Sequence, residues 1–224
     1  MSWLVLFDVD GTLLLTHDEV YVEANRIALT EVFGSAPDGA DVPGDTATAH
    51  TRRALAAAGF RAAEIDAGMP RWCALFSAHY VDLLADADTS RWEVGPGAHD
   101  AIAALDRRAL LTGNPPAVAH ARMERLGLAP LFPPGQGAFG CEREQRSELF
   151  ALARERAGDW PADRTVAVGD TPIDVSSAHT AGSRCIAVTT GHYARHQLAS
   201  ADVVIPDLTE LGDALLALNK EAGA

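Results

Sequence analysis

Lysine is almost absent from this chain: among 224 residues only Lys220, close to the C-terminal end, is one. Bases of any kind are few, 18 Lys and Arg against 31 Asp and Glu, for a net charge of −13. Binding a phosphate backbone needs a basic face, so no nucleic-acid partner is expected. Cysteine is scarce too. Cys73, Cys141 and Cys185 are odd in number and none is spaced as CxxC, which argues for a reducing compartment and against a disulfide framework or a zinc site. No apolar run approaches the roughly 20 residues of a transmembrane helix, and no basic segment precedes the first strand. A soluble cytoplasmic protein with no membrane partner is expected. What is present, 48% hydrophobic and 22% charged residues, is the composition of an ordinary globular protein.

Leu4, Val5, Leu6 and Phe7 form a continuous apolar run, as in a buried strand of a parallel sheet, and it ends on Asp8, Val9, Asp10, Gly11 and Thr12. A helix-rich stretch follows. Tyr21, Ala24, Ala28 and Val32 make one stripe at helical spacing, and Ile65, Trp72, Phe76 and Leu83 make another. Between them "DVPGDTATAHTRRALAAAG" predicts a helix with Asp45 or Thr46 at its N-cap. After Gly95, Pro96 and Gly97, short apolar strands return at 109–113, 165–170, 185–191 and 202–206. Helices are expected near 116–127, 147–158, 172–181 and 207–219. This alternation predicts an α/β fold, a doubly wound parallel sheet carrying a helical insertion over residues 15–92.

Ligands of such sheets bind at the carboxyl ends of the strands. Three ends, "DVDGT", "LLTGN" and "VAVGDTPIDVSSA", bring Asp8, Asp10, Thr112, Asn114, Asp170 and Asp174, with Gly113 in a tight turn. Four aspartates there would repel one another unless a cation sat among them. Hard carboxylate oxygens without His or Cys select magnesium over zinc. With hydroxyl and amide donors beside it, the set is a phosphoryl-transfer constellation in which an aspartate can attack phosphorus.

These motifs, in this order, resemble the haloacid dehalogenase superfamily, in particular its phosphatases with a helical cap after the first strand, most like the phosphoglycolate phosphatase group. The resemblance implies a core of residues 1–14 and 93–224, a cap of 15–92, and hydrolysis of a small phosphorylated metabolite through an aspartyl-phosphate. It implies Asp8 as nucleophile and magnesium ligand, and Asp10 as general acid–base whose carbonyl reaches the metal. Thr112 would contact the phosphoryl group with Gly113 or Asn114, and Asp170 and Asp174 would complete the Mg2+ site. Asp174 as a helix cap is the plainer alternative. The family's core lysine has no counterpart here. Arg146, at the start of a helical stripe, is the expected substitute for catalysis and substrate binding, with Arg143 in the preceding loop as its rival. Trp72, Phe76 and Tyr80 read as core, and His179 as packed on its own helix. In the cap, Thr46, His50, Arg52 and Arg53 are placed nearest the substrate. A sugar phosphomutase of the same superfamily and a catalytically silent interaction protein are the alternatives. The sequence leaves a monomer and a homodimer equally open.

Overall fold

The computed structural model describes residues 2–39 and 42–221; Asp41, in the turn stretch before the second helix, lies outside them. Six parallel strands form one sheet in the order β3-β2-β1-β4-β5-β6. They are β1 (Leu4–Phe7), β2 (Arg107–Thr112), β3 (Ala138–Phe139), β4 (Thr165–Gly169), β5 (Arg184–Val188) and β6 (Val203–Ile205). The expected doubly wound sheet is borne out. β3 was not expected: two residues pairing Leu111 with Ala138 and Thr112 with Phe139 carry no periodicity to read.

Alternation along the strands divides the core. Val5, Phe7, Leu110, Val166, Val168 and Ile186 face one side, covered by α4 (Ala98–Ala103), α5 (Pro116–Arg125) and α8 (Leu211–Glu221). Leu4, Leu6, Ala109, Leu111, Ala167 and Cys185 face the other, under α6 (Arg146–Arg156) and α7 (Pro172–Thr180). Helices on both faces explain why β1 reads as unbroken apolar sequence rather than alternation.

Between β1 and β2 lie α1 (Glu19–Phe33), α2 (Ala47–Ala57) and α3 (Ala62–Ala85), with their own cluster of Ala24, Ala28, Leu55, Ile65, Trp72, Phe76 and Tyr80. Trp72 donates its indole N–H to Asn25 Oδ1 at 2.9 Å, so the ring is buried without a stranded donor. The α3 stripe closes on Leu84, not Leu83; Leu83 is 37% exposed. Thr46 is the N-cap of α2, its hydroxyl accepting from Ala49 N at 3.1 Å. The chain leaves and re-enters the sheet side by side, with Leu15 N donating to Glu93 O and Glu93 N to Thr16 Oγ1.

The cysteines correct the sequence reading. Cys73 on α3 and Cys141, just after β3, form a disulfide across 68 residues, and Cys185 is free and buried. Spacing could not reveal the pair, because α3 and the segment after β3 meet only when the helical insert packs on the sheet. His179 also does more than pack on α7: its Nε2 lies 2.9 Å from Asp202 Oδ2.

Candidate active site

β1 lies between β2 and β4, and the chain winds away from it in both directions, so the crevice opens at its carboxyl end. Asp8 N donates to Val168 O, extending the ladder one residue past β1 and fixing where the carboxylate emerges. The turn then closes on Val9 O, which accepts from Leu13 N and Leu14 N. Gly11 holds φ 72°, and a Cβ there or on Gly191 would overlap the Asp170 carboxylate. Glycine is needed at both places for backbone to pass that close to an acid.

Three carboxylates meet. One oxygen from each of Asp8, Asp170 and Asp174 lies within 4.8 Å of the others, all buried. Burial pushes the Asp8 carboxyl up to about 7, Arg146 pulling it back while Asp174 and Asp10 add to the rise. Asp170 is pushed up to about 8, by burial first and then by Asp8 and Asp174. Its Oδ1 has no hydrogen-bond partner. An orphaned buried carboxylate oxygen within a cluster of acids, with no His or Cys in the group, fits a hard divalent cation.

Asp174 uses both its oxygens. Oδ2 accepts from Thr171 N at 3.0 Å and Thr171 Oγ1 at 2.7 Å in the capping box of α7, and Oδ1 lies 2.5 Å from Arg146 Nη2. The helix-cap alternative and a place in the acidic cluster are therefore both realised. Arg146, the first residue of α6 and 6% exposed, also reaches Asp8 Oδ1 at 2.9 Å and donates to Gly44 O at 3.0 Å. Desolvation opposes its charge, but Asp174 and Asp8 outweigh it and hold its pKa above the ordinary arginine value. Arg143 is exposed, and among the described residues its side chain donates to its neighbour's carbonyl, Glu142 O. Of the two arginines, the structure brings Arg146 to the acids.

Asp10 stands apart from the cluster. Its side chain, 58% exposed, takes Arg122 Nη1 at 2.9 and 3.1 Å and Asn114 Nδ2 at 2.7 Å. Asn114 Nδ2 also donates to Thr112 Oγ1 at 2.9 Å, so one amide ties the end of β2 to the aspartate after β1. Gly113 O accepts from Ala47 N at 2.8 Å, and a Cβ on Gly113 would collide with Asp45 O. The insert thus rests directly on β2's end. Thr46 and its neighbours are near the site but engaged. Thr46 Oγ1 donates to Glu144 O, Arg53 pairs with Asp45 at 2.6 Å, and Arg52 bridges Glu144 and Asp66. A cleft of about 600 Å³ opens between α2, the start of α6 and the length of α7, lined by Arg52, Arg53, Glu144 and Arg146. His50 does not line it.

Arg122 escaped the sequence reading. It is 1% exposed on α5, between Val118, Ala119 and Met123, and joins Asp10 to Asp18, whose Oδ2 accepts from its Nε at 2.9 Å and from Tyr80 OH at 2.7 Å. A charged residue on a buried apolar stripe needs a buried partner, and that was the available signal. The Asp18 pair is fully buried, whereas the half-exposed Asp10 pair is worth little by itself. Arg122→Met, which strands Asp18, is expected to cost about 3–5 kcal/mol in denaturant unfolding, with partial recovery in Arg122→Lys.

The raised acids also predict a pH dependence. Below the ordinary aspartate value of 3.8 these carboxyls are protonated whether the chain is folded or not. As pH climbs towards 7 and 8 the unfolded chain ionises them freely and the folded chain resists, so folding loses stability across that window. The melting temperature of the EDTA-treated chain should fall from pH 5 to pH 8, and Asp170→Asn should flatten the fall. A slope unchanged in that variant would contradict the assignment.

Comparison with known proteins agrees with this geometry. The model of the haloacid dehalogenase-like hydrolase family matches residues 4–182. The chain belongs to that family. It is 32% identical over 225 residues to a phosphoglycolate phosphatase from Rhodospirillum rubrum, covering 95% of this chain and 90% of the relative. CbbY from Rhodobacter sphaeroides, solved with phosphate, shares the fold at TM-score 0.63 and 24% identity, covering 95% of this chain and 97% of that one. β-Phosphoglucomutase from Clostridium difficile does so at TM-score 0.71 and 15% identity over the whole of both chains. Among the described residues no helix is long and apolar enough to cross a membrane.

Proposed function

We propose that this hydrolase is a Mg2+-dependent phosphatase that removes the phosphoryl group of a small phosphorylated metabolite through an aspartyl-phosphate on Asp8. The observation that carries the reading is the buried Asp8 carboxylate with Arg146 at 2.9 Å on one oxygen and a second aspartate, Asp10, two residues along. Asp8 attacks phosphorus, and Arg146 offsets the repulsion between two anions. Asp10, fixed by Asn114 and Arg122, gives a proton to the leaving oxygen and later takes one from the attacking water. Thr112 and Asn114, with the Gly113 amide, would hold the phosphoryl oxygens. Asp8, Asp170, Asp174 and the Asp10 carbonyl would hold the magnesium ion, which supplies charge neutralisation and orientation to the phosphate. Residues 15–92 act as a cap that excludes water from the reaction. The name of the R. rubrum relative supports phosphoglycolate or a comparably small phosphorylated acid as the substrate class. A cytoplasmic location and a monomeric or homodimeric state belong to the same proposal.

The test is phosphate release from a panel of phosphomonoesters, phosphoglycolate and hexose phosphates included, in magnesium and in excess EDTA. Release with magnesium and none with EDTA is expected. Interconversion of hexose phosphates without net release would select the phosphomutase instead, and no conversion anywhere in the panel would overturn the phosphatase.

A further inference from the structure

Cys73 and Cys141 do not staple a small domain together; they join the helical insert to the sheet. Cys73 lies midway along α3, and Cys141 sits in the segment 140–145 that leads from β3 to Arg146. Their Cα atoms are 6.3 Å apart. That same segment is bound to the entrance of α2 by weaker ties. Thr48 Oγ1 donates to Gly140 O at 2.6 Å, Thr46 Oγ1 to Glu144 O at 2.7 Å, and Arg52 Nε to Glu144 Oε2 at 2.8 Å. Arg146 itself donates to Gly44 O.

Behind these ties the nucleophile's side of the site is closed, although the Asp10 side chain stands open. Asp8 is 5% exposed, Thr112 1% and Asp170 4%. A shift of the insert would uncover Asp8 to a phosphate ester. Hydrogen bonds exchange with water at a net cost of only about 0.5–1.5 kcal/mol each, so they open and close readily. A covalent bond between the same two bodies does not. Both bonded cysteines are partly exposed, while Cys185 is buried and its thiol is pushed well above the ordinary value, mainly by that burial. An external thiol therefore reaches the bridging pair and not the third cysteine. The proposed cytoplasm is reducing, and disulfides that form in such a compartment are usually transient and catalytic or redox-sensing.

We propose that Cys73 and Cys141 are a redox modification site, a reversible latch that locks the insert over the active site when oxidised and frees it when reduced. Release is thiol–disulfide exchange with a dithiol. One thiolate of the reductant attacks a sulfur of the bridge, and the other cysteine leaves as a thiolate. The reductant's second thiol then displaces the first cysteine. Two electrons pass to the pair, both cysteines end as thiols, and the reductant ends as a disulfide. A small disulfide such as oxidised glutathione drives the reverse. The latch rests on the proposed phosphatase only for its activity readout.

The whole chain is prepared with dithiothreitol or with oxidised glutathione, and the reagents are removed. Thiol titration in denaturant should find three thiols in the first and one in the second, since the chain has three cysteines and one bridge. Amide exchange over 43–49 and 140–146 should slow on oxidation. Phosphatase turnover should drop about tenfold or more, the effect of ~1.4 kcal/mol on the barrier, and return with dithiothreitol. Cys73→Ser and Cys141→Ser should match the reduced chain and ignore the oxidant, and Cys185→Ser should still respond. Three thiols after oxidation, unchanged exchange on bridging, or serine variants that still respond would each overturn the latch. So would equal, measurable turnover of the two forms. If neither form hydrolyses any phosphomonoester while exchange still tracks the bridge, the latch stands and the phosphatase falls.

Discussion

Asp8→Asn should fold, bind its substrate and turn over nothing. The asparagine amide fills the same volume, and its carbonyl can accept the Arg146 hydrogen bond now made to Asp8 Oδ1, so the pocket keeps its shape. What it loses is the anionic oxygen that forms the bond to phosphorus in the proposed mechanism, where Asp170 is given to the metal. Asp174 is spent on Thr171 and Arg146, and Asp10 is turned to Arg122 and Asn114. Turnover should fall to the detection limit, and beryllium or aluminium fluoride should no longer trap a phosphoryl mimic. Asp10→Asn is a different lesion. Proton transfer to the leaving oxygen is worth roughly 10²–10⁴-fold, so activity should fall by that range while substrate binding persists. Near-normal residual activity in both variants would mean that the chemistry lies elsewhere.

Arg146→Ala should lose turnover about ten- to a hundredfold or more, taking about 1.5–3 kcal/mol for each hydrogen bond to a charged group. The same change uncouples two buried acids, Asp8 and Asp174, and breaking a buried ion pair costs about 3–5 kcal/mol of stability. The assay therefore belongs at a temperature where the variant is shown to be folded. Arg146→Lys keeps a cation there but not the fork that spans Asp8, Asp174 and Gly44 O, and should fall between the two. Arg143→Ala removes an exposed side chain whose contact is a neighbouring carbonyl, and kcat should barely move. A crippled Arg143 variant beside a normal Arg146 variant would reverse the assignment. If both work normally, the missing cation comes from another residue.

The strands that carry the site were legible because each is a compact apolar run ending in turn residues, which is how a doubly covered parallel strand must look. Arg146 was legible for a related reason: the stripe of Leu149, Leu152, Ala153 and Ala157 fixes where α6 begins, and the structure adds Phe150 to its buried face. Contacts made only by tertiary packing were not. Neither the Cys73–Cys141 bond nor the choice of Asp18 as the partner of Arg122 has any local signature, since each joins the insert to a distant part of the sheet domain. Thr46 shows the limit from the other side. Its capping role follows from sequence, but the same hydroxyl's bond to Glu144 O depends on where α2 comes to rest.

The sheet's register has a consequence for how the chain reaches this structure. Leu4 pairs with Arg107 on one side and with Thr165 on the other, so the central strand precedes both its neighbours by a long stretch of chain. During synthesis, β1 emerges with Leu4, Val5, Leu6 and Phe7 unpaired and must wait for them. The helices α1 and α3, which pack chiefly against each other, have no such wait and can collapse first. Non-local pairing of this kind slows folding, because the loop-closure entropy must be met before any ladder contact forms. The strand that carries the proposed nucleophile thus waits the longest stretch of chain for its partners, and until then it is open to association with other chains.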